Sequence, residues 1–245
     1  MPKFFTEDIA GQRGILRGGD VKHLTRVLRL GPGDLVTLCD GAGFDYDCQI
    51  ETVEEGQVVC TVLEKRPCPA EPDLDLTVYM ALPKQDKMQL VVQKCVELGC
   101  REIVPVISEW CVSRPDPKSL QNKTERWQKI AWEAAKQCGR GVLPTVSPCL
   151  PFARAVEELA GKDLPLLFYE KGGRPIGELL ARAQAVGPVR SCGLLVGSEG
   201  GLTPEEVALA AGRGVGIASL GPRILRCETA PLAAAAVVMY LTGNL

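Results

Sequence analysis

The sequence predicts an α/β domain built on a largely parallel sheet, preceded by a small all-β domain carrying one short helix. Three observations point there: strand-like and helix-like segments alternate after residue 74, short strand-like pieces crowd the first 65 residues, and prolines cluster between the two regions. In the first region, residues 35–39 and 44–50 flank Asp40-Gly41-Ala42-Gly43, a turn sequence that predicts a hairpin, and 58–63 reads as a third strand. Asp20 is placed to cap a short helix whose Leu24, Val27 and Leu28 share one face. This half reads as a small β-barrel with a helix. Arg66-Pro67-Cys68-Pro69-Ala70-Glu71-Pro72 then reads as a stiff linker, because proline fixes φ and offers no amide hydrogen to a central strand or helix. The expected division is 1–70 and 71–245.

In the second region, 74–81 and 103–107 read as strands. Residues 87–98 and 123–138 read as helices that stop at Gly99 and Gly139. Short apolar runs at 164–169, 192–196 and 217–220 have the continuous hydrophobicity of buried parallel strands. Helices are expected at 175–185, 204–211 and 228–241.

Composition excludes several classes. An apolar fraction of 46% with 24% charged residues is that of an ordinary globular chain, not of a disordered, collagen-like or coiled-coil one. The first ten residues, MPKFFTEDIA, carry acidic groups where a signal peptide would be apolar, and the apolar run at 231–241 is far short of the ~20 residues that span a bilayer. A cytoplasmic protein with no membrane partner is expected. The eleven cysteines form no C-x-x-C and the chain has one histidine, His23, so no metal site is expected. Most of the thiols read as small core residues.

Charge is unevenly placed although the net value is only −2. Lys3, Arg13, Arg17, Lys22, Arg26 and Arg29 outnumber the acids in the first 30 residues. Arg114, Lys118, Lys123, Arg126, Lys129, Lys136 and Arg140 do so over 114–140. Such local excesses suit phosphate contacts, and they equally suit solvated helix faces.

Two segments carry chemistry. Leu194-Leu195-Val196-Gly197-Ser198-Glu199-Gly200-Gly201-Leu202-Thr203-Pro204-Glu205-Glu206 runs from a strand through glycines into a helix with Thr203 as cap, Pro204 in the first turn and Glu206 closing a capping box. Ligands in doubly wound folds bind at such strand ends, though a tight turn without a ligand would read the same way. The segment lacks the P-loop and G-x-G-x-x-G patterns, and Glu199 argues against direct phosphate contact, which suits a cationic ligand such as S-adenosylmethionine better. The second segment, Leu220-Gly221-Pro222-Arg223-Ile224-Leu225-Arg226-Cys227-Glu228-Thr229-Ala230-Pro231, again joins a strand to a helix. Arg223 and Arg226 suit RNA phosphate or a target base, and Glu228 and Thr229 suit a helix cap.

Together these two segments resemble the bacterial 16S ribosomal RNA (uracil-N3)-methyltransferases, the RsmE family of the SPOUT superfamily. Further similarity lies in His23-Leu24-Thr25-Arg26-Val27-Leu28-Arg29-Leu30, in Gln93-Lys94-Cys95-Val96-Glu97-Leu98-Gly99, and in Arg126-Trp127-Gln128-Lys129-Ile130-Ala131 leading to Gln137-Cys138-Gly139-Arg140. The resemblance is collinear over nearly the whole chain. Departures are small: the family usually has proline at Ser198, threonine or serine at Cys227, and alanine and serine at Cys95 and Cys138.

The resemblance implies a PUA-like β-barrel over 1–70 and a SPOUT methyltransferase domain over 71–245 with a deep trefoil knot within about 165–245. It also implies a homodimer acting on 16S ribosomal RNA in the small subunit, with S-adenosylmethionine as methyl donor and N3 of one uridine, position 1498 in the usual RNA numbering, as acceptor. The donor site is expected at Phe168, Tyr169, Gly197, Glu199, Gly200, Leu220, Gly221, Ile224, Leu225, Thr229 and Ala230. RNA is expected to meet His23, Arg26, Arg29, Arg126, Lys129 and Arg140. Because uracil N3 carries a proton and is a poor nucleophile, Glu228 is the expected base and Arg223 or Arg226 the expected stabiliser of the imide anion. An RNA-binding assembly factor on the same scaffold is the alternative, and donor binding separates the two.

Overall fold

The computed structural model describes residues Met1–Leu245. The chain forms two compact units, Met1–Glu71 with Ala135–Leu143, and Pro72–Ala134 with Pro144–Leu245. The division is therefore not a single cut at residue 70.

The first unit is a six-stranded sheet. Its strands are β1 (Lys3–Phe5), β2 (Ile9–Ala10), β3 (Arg13–Arg17), β4 (Leu35–Cys39), β5 (Phe44–Glu54) and β6 (Gln57–Pro67), in the order β1-β4-β5-β6-β3-β2. The expected β4–β5 hairpin forms, with Cys39 opposite Asp45, and the Asp40 carboxylate accepts the amides of Ala42 (2.8 Å) and Phe44 (3.2 Å) to set the turn. Phe4, Leu16, Leu24, Val36, Leu38, Ile50 and Val58 fill its core. Pro67 ends β6 opposite Phe44 rather than lying in a linker, a position proline tolerates at the end of a strand.

The short helix α1 (Gly19–Lys22) continues into a wide π turn, His23–Val27. Its N-cap is Gly18, with no side-chain cap, so Asp20 does not cap it. The expected apolar face is also corrected: Leu24 is buried, but Val27 and Leu28 are exposed, because the π winding breaks the 3.6-residue period that would align them.

Ala135–Leu143 joins this unit through an internal ion pair. Glu71 accepts Arg140 Nε at 2.7 Å and the amides of Gly141 and Val142 at 2.6 and 3.0 Å. Burial alone would raise the Glu71 carboxyl, but Arg140 and the amides outweigh it and hold it below its ordinary value. Arg140 is 3% exposed, so this arginine is removed from the expected RNA-binding set. Its charge is committed to the fold.

The second unit holds an eight-stranded parallel sheet. In chain order its elements are β7 (Asp75–Ala81), α2 (Lys87–Glu97), β8 (Glu102–Ile107), α3 (Pro117–Cys138, whose last turn belongs to the first unit), β9 (Thr145–Val146), β10 (Leu150–Pro151) and α4 (Phe152–Ala160). Then follow β11 (Leu164–Phe168), β12 (Arg174–Pro175), α5 (Ile176–Val186), β13 (Ser191–Val196), α6 (Pro204–Gly212), β14 (Gly216–Ser219) and α7 (Ala230–Leu241). The order is β10-β8-β7-β13-β11-β14-β12, with β9 beside β8. Strand alternation splits the core. Tyr79, Leu167 and Leu195 face α4 and α6, where Phe152, Val156, Leu159 and Ala210 pack, while α2, α5 and α7 cover the opposite face.

Helix α4 has no counterpart among the expected elements, although its buried Phe152, Ala155, Val156 and Leu159 fall at helical spacing. All eleven cysteines are free, and all but Cys138 and Cys149 are buried. No helix is long and apolar enough to cross a membrane.

Candidate active site

Three neighbouring parallel strands, β13, β11 and β14, end on the same side of the sheet, with Phe168 level with Val196 and with Ala218. Beyond those ends lies a cleft of about 560 Å³. Its walls come from the segment after β11 (Phe168, Tyr169, Glu170), the glycine turn after β13 (Val196 to Leu202), and the loop after β14 (Ser219 to Cys227), with Lys87 and Ala230 completing it. This is the strand-end position at which open α/β sheets bind ligands, and the volume suits a medium-sized organic molecule.

The glycine turn is held from behind. Thr203 Oγ1 accepts the Glu206 amide at 3.1 Å and Glu206 returns the bond to the Thr203 amide at 3.0 Å, which makes the expected capping box. Glu206 Oε1 also accepts the Glu109 amide at 2.8 Å, tying in the loop after β8. Of the turn glycines, Gly201 alone has positive φ (73°), closing a bridge with Ser198. Gly197 and Gly200 are needed for space instead. A Cβ on Gly197 would lie 3.0 Å from the Gly201 backbone, and one on Gly200 would lie 2.8 Å from Trp110 Cβ.

Across the cleft a residue that the sequence reading missed joins the two loops. Lys87, in the first turn of α2, places its ammonium 3.0 Å from Glu199 Oε1 and 3.1 Å from Glu228 Oε2. The Lys84 amide gives Glu199 a further bond at 3.1 Å. The two carboxylates push the Lys87 ammonium above its ordinary range, Glu199 the more strongly. Burial would raise Glu199, but its own amide, Lys87 and the Lys84 amide outweigh it and hold it low. Glu228 is held low chiefly by its own amide, against burial, with help from the Cys227 thiol and Lys87. Burial, with Glu228 beside it, pushes the Cys227 thiol up to about 12, so it is no nucleophile at neutral pH. The signal for Lys87 lay only in its place at the start of a helix after a parallel strand.

The expected donor residues Phe168, Tyr169, Gly197, Glu199, Gly200, Leu220, Gly221, Ile224, Leu225 and Ala230 all line the cleft, and Thr229 does not. Arg223 and Arg226 line it, are exposed, and pair with no carboxylate. Glu228 is not among the lining residues and is bound to Lys87. Thr229 is the N-cap of α7 but makes no side-chain cap bond, so the expected capping by Glu228 and Thr229 is not what fixes this helix start. Of the expected RNA residues, His23, Arg26 and Arg29 are exposed in the first unit, and Arg126 and Lys129 are exposed on α3 in the second.

A model of an RNA methyltransferase domain matches residues 70–239, and one of an RNA methyltransferase PUA domain matches 16–63. The ribosomal RNA small subunit methyltransferase E of Bacillus subtilis is 36% identical over 93% of this chain and 90% of its own. The chain belongs to the ribosomal RNA small subunit methyltransferase E family. Its relative in Synechocystis is also 36% identical, over 92% of this chain and 72% of that one. Among solved structures, the Neisseria gonorrhoeae family member bound to S-adenosyl methionine aligns with a TM-score of 0.85 at 31% identity, covering 98% of both chains. A putative methyltransferase of Legionella pneumophila in complex with the same compound aligns at 0.80 and 30% identity over 98% of this chain and 97% of that one.

The carboxylate–ammonium clamp should show in the pH dependence of ligand binding. Glu199 and Glu228 sit below their usual 4.5, so their pairing is intact above that value and lost as pH falls through the lower folded values. Lys87 sits above its usual 10.5, so its share is intact below that and lost only at still higher pH. The clamp's contribution to S-adenosylmethionine binding should therefore be flat from pH 6 to 9. In Lys87→Met two carboxylates face each other unneutralised, so one titrates at higher pH, and calorimetry should show an affinity that differs from the parent's and varies with pH on the acidic side. A variant whose profile stays flat and equally tight would deny the clamp any part in shaping the cleft.

Proposed function

We propose that this chain transfers the methyl group of S-adenosylmethionine to N3 of the single 16S ribosomal RNA uridine named above, within the small subunit. The observation that carries the reading is the cleft at three parallel strand ends, walled by a glycine turn on one side and by two unpaired arginines on the other. The cleft fits this donor: Phe168, Val196, Leu202, Leu220 and Leu225 offer apolar contact to a flat adenine, and the Glu170 and Glu199 carboxylates in its walls offer acceptors to the donor's hydroxyl and ammonium groups. Bound there, the donor supplies an electrophilic methyl group on a sulfonium.

The chain's residues do the rest. Backbone groups of the glycine turn and of Leu220 to Leu225 fix the donor's orientation, since in-line transfer depends on alignment. Arg223 and Arg226 hold the uracil and stabilise the negative charge left on its imide as the N3 proton departs to water at the open mouth. Glu228, ionised and committed to Lys87, is a weak proton acceptor. Its role is to anchor the clamp, which replaces the role of base expected from the sequence.

Family membership supports a SPOUT arrangement in the second unit. The order β7-β13-β11-β14 supports reading the 165–245 segment as the deep trefoil knot implied by the sequence, and the six-stranded first unit as the PUA-like barrel that meets RNA through His23, Arg26 and Arg29. Helix α7 supports a homodimer: Ala234, Ala235, Val238 and Met239 are buried, whereas Val237, Tyr240 and Leu241 stand exposed on its outer side. A reducing cytoplasm suits eleven free thiols.

The test is calorimetry of S-adenosylmethionine with the full chain, followed by mapping of the methyl group on small-subunit RNA. Binding with a one-to-one stoichiometry and a single methyl on uridine N3 are expected. Donor binding without transfer to this RNA would leave a methyltransferase of another substrate, and absence of donor binding would sink the reading.

A further inference from the structure

We propose that Trp110, packed against the glycine turn that walls the donor cleft, is a stacking platform for an unpaired base of the RNA substrate, with the Lys171 ammonium over one face of the ring to meet the adjoining phosphate. This rests on the RNA methyltransferase reading above.

Trp110 follows β8 on a loop that is firmly held. The Glu109 amide donates to Glu206, the Cys111 amide donates to the Ser108 carbonyl at 3.2 Å, and Arg114 donates to the carbonyls of Glu109 (2.8 Å) and Cys111 (3.3 Å). Ser108 and Cys111 on either side are buried, at 1% and 4% exposed. Trp110 between them is 41% exposed and Val112 70%. A large ring left open to solvent by a well-bonded loop does not fill a core as Trp127, at 6%, does; Trp132 on α3 is exposed too, at 44%, and what sets Trp110 apart is its place.

Its place is beside the chemistry. Gly200 lines the cleft, and the atom a side chain there would strike first is Trp110 Cβ. Lys171, next to the cleft residue Glu170, holds its Nζ over the indole at 5.9 Å from the centroid, so a base would stack on the opposite face. No carboxylate pairs with Lys171 in the structure, nor with Arg223 or Arg226 on the loop after β14. An open ring with one unpaired cation over it, beside a cleft lined by two more, complements a ligand that is flat, aromatic and anionic, which describes a nucleotide better than an apolar protein surface.

The reaction creates a need for such a ring. A uridine whose N3 must reach a donor inside a cleft leaves its own stack, and the energy lost is recovered on aromatic side chains. Because every base has a π-face, the platform can hold the target or its neighbour without reading its identity.

The experiment measures affinity of the full chain for a short single-stranded RNA that spans the target uridine, by fluorescence anisotropy. Donor affinity by calorimetry and mass by light scattering are measured alongside. Trp110→Ala should weaken RNA binding about 5- to 150-fold, the factor for one stacked base, with donor affinity unchanged. Trp110→Phe should recover most of the loss. Equal RNA affinity in Trp110→Ala would overturn the proposal, as would equal losses in Ala and Phe variants. A Trp110→Ala protein that loses mass from dimer to monomer as it loses RNA would assign the ring to a second copy of the chain instead. If the unaltered chain binds neither donor nor RNA, the underlying reading fails and takes this one with it; donor and RNA binding by the parent with no Trp110 effect sinks this one alone.

Discussion

Gly200→Val should leave a folded protein that no longer binds S-adenosylmethionine measurably. The reason is space rather than backbone conformation, because Gly200 does not have a positive φ. Its first added carbon would stand 2.8 Å from Trp110 Cβ and 3.0 Å from Trp110 O. Neither atom is the far end of a flexible side chain, and the loop that carries them is tied to Glu206 and to Arg114. The glycine turn must move instead, and it is a wall of the cleft. Overpacking of this kind costs about 1–3 kcal/mol of stability, which at ~2–4 °C per kcal/mol for a chain of this size lowers the melting temperature without unfolding the protein. A displaced wall costs the ligand its backbone contacts, and each 1.4 kcal/mol lost there is about tenfold in affinity. Gly177→Ala is the control. Gly177 lies in the first turn of α5 with nothing within 4 Å of an added Cβ, so alanine should stabilise by about 0.5–1 kcal/mol and leave donor binding alone. A folded Gly200→Val protein with parental donor affinity would move the donor site elsewhere.

The sequence was a good guide wherever the determining physics is local. The capping box at Thr203 and Glu206, the hairpin at Asp40 and Gly41, and the buried parallel strands β11, β13 and β14 each depend on residues within one short segment. Two glycine-bearing loops after such strands were legible as a site for the same reason. Failures cluster where distant residues decide. Arg140 counted as one more cation in a basic stretch until the fold set Glu71, 69 positions away, against it. Lys87 showed no motif, because its partners Glu199 and Glu228 come from loops more than a hundred residues on. Asp20 and Thr229 stand at helix starts, yet neither makes the side-chain bond that their residue type favours. Propensity names the residues suited to a cap, and the surrounding chain decides whether the bond is made. Gly200 is the subtlest case: three glycines in one turn look alike in sequence, and the structure separates one positive-φ position from two that make room for neighbours.

Arg223→Ala and Arg226→Ala should separate binding from chemistry. Both guanidiniums line the cleft, both are exposed, and neither pairs with a carboxylate, so removing one leaves no buried charge behind and should hardly change the melting temperature. On the proposed reading, the arginine that faces the uracil stabilises the negative charge that grows on the imide as N3 loses its proton. By analogy with deletion of one oxyanion-hole donor, its loss should lower single-turnover methylation on the order of 10²–10³-fold, about 2.7–4 kcal/mol of barrier, with donor affinity nearly unchanged. The other arginine, if it meets only phosphate, should weaken RNA binding and flatten its salt dependence while sparing the rate at saturation. Glu228→Gln completes the comparison. The carboxylate is held below the usual range and bound to Lys87, so at neutral pH it has little appetite for a proton. The amide should therefore leave the acidic limb of the pH–rate profile in place, with a modest loss of donor affinity as the clamp weakens. Loss of that limb together with most of the turnover would restore Glu228 as the base. A rate that survives both arginine replacements would show that the imide anion is stabilised by groups other than these two, and the backbone amides of the loop after β14 would be the next to examine.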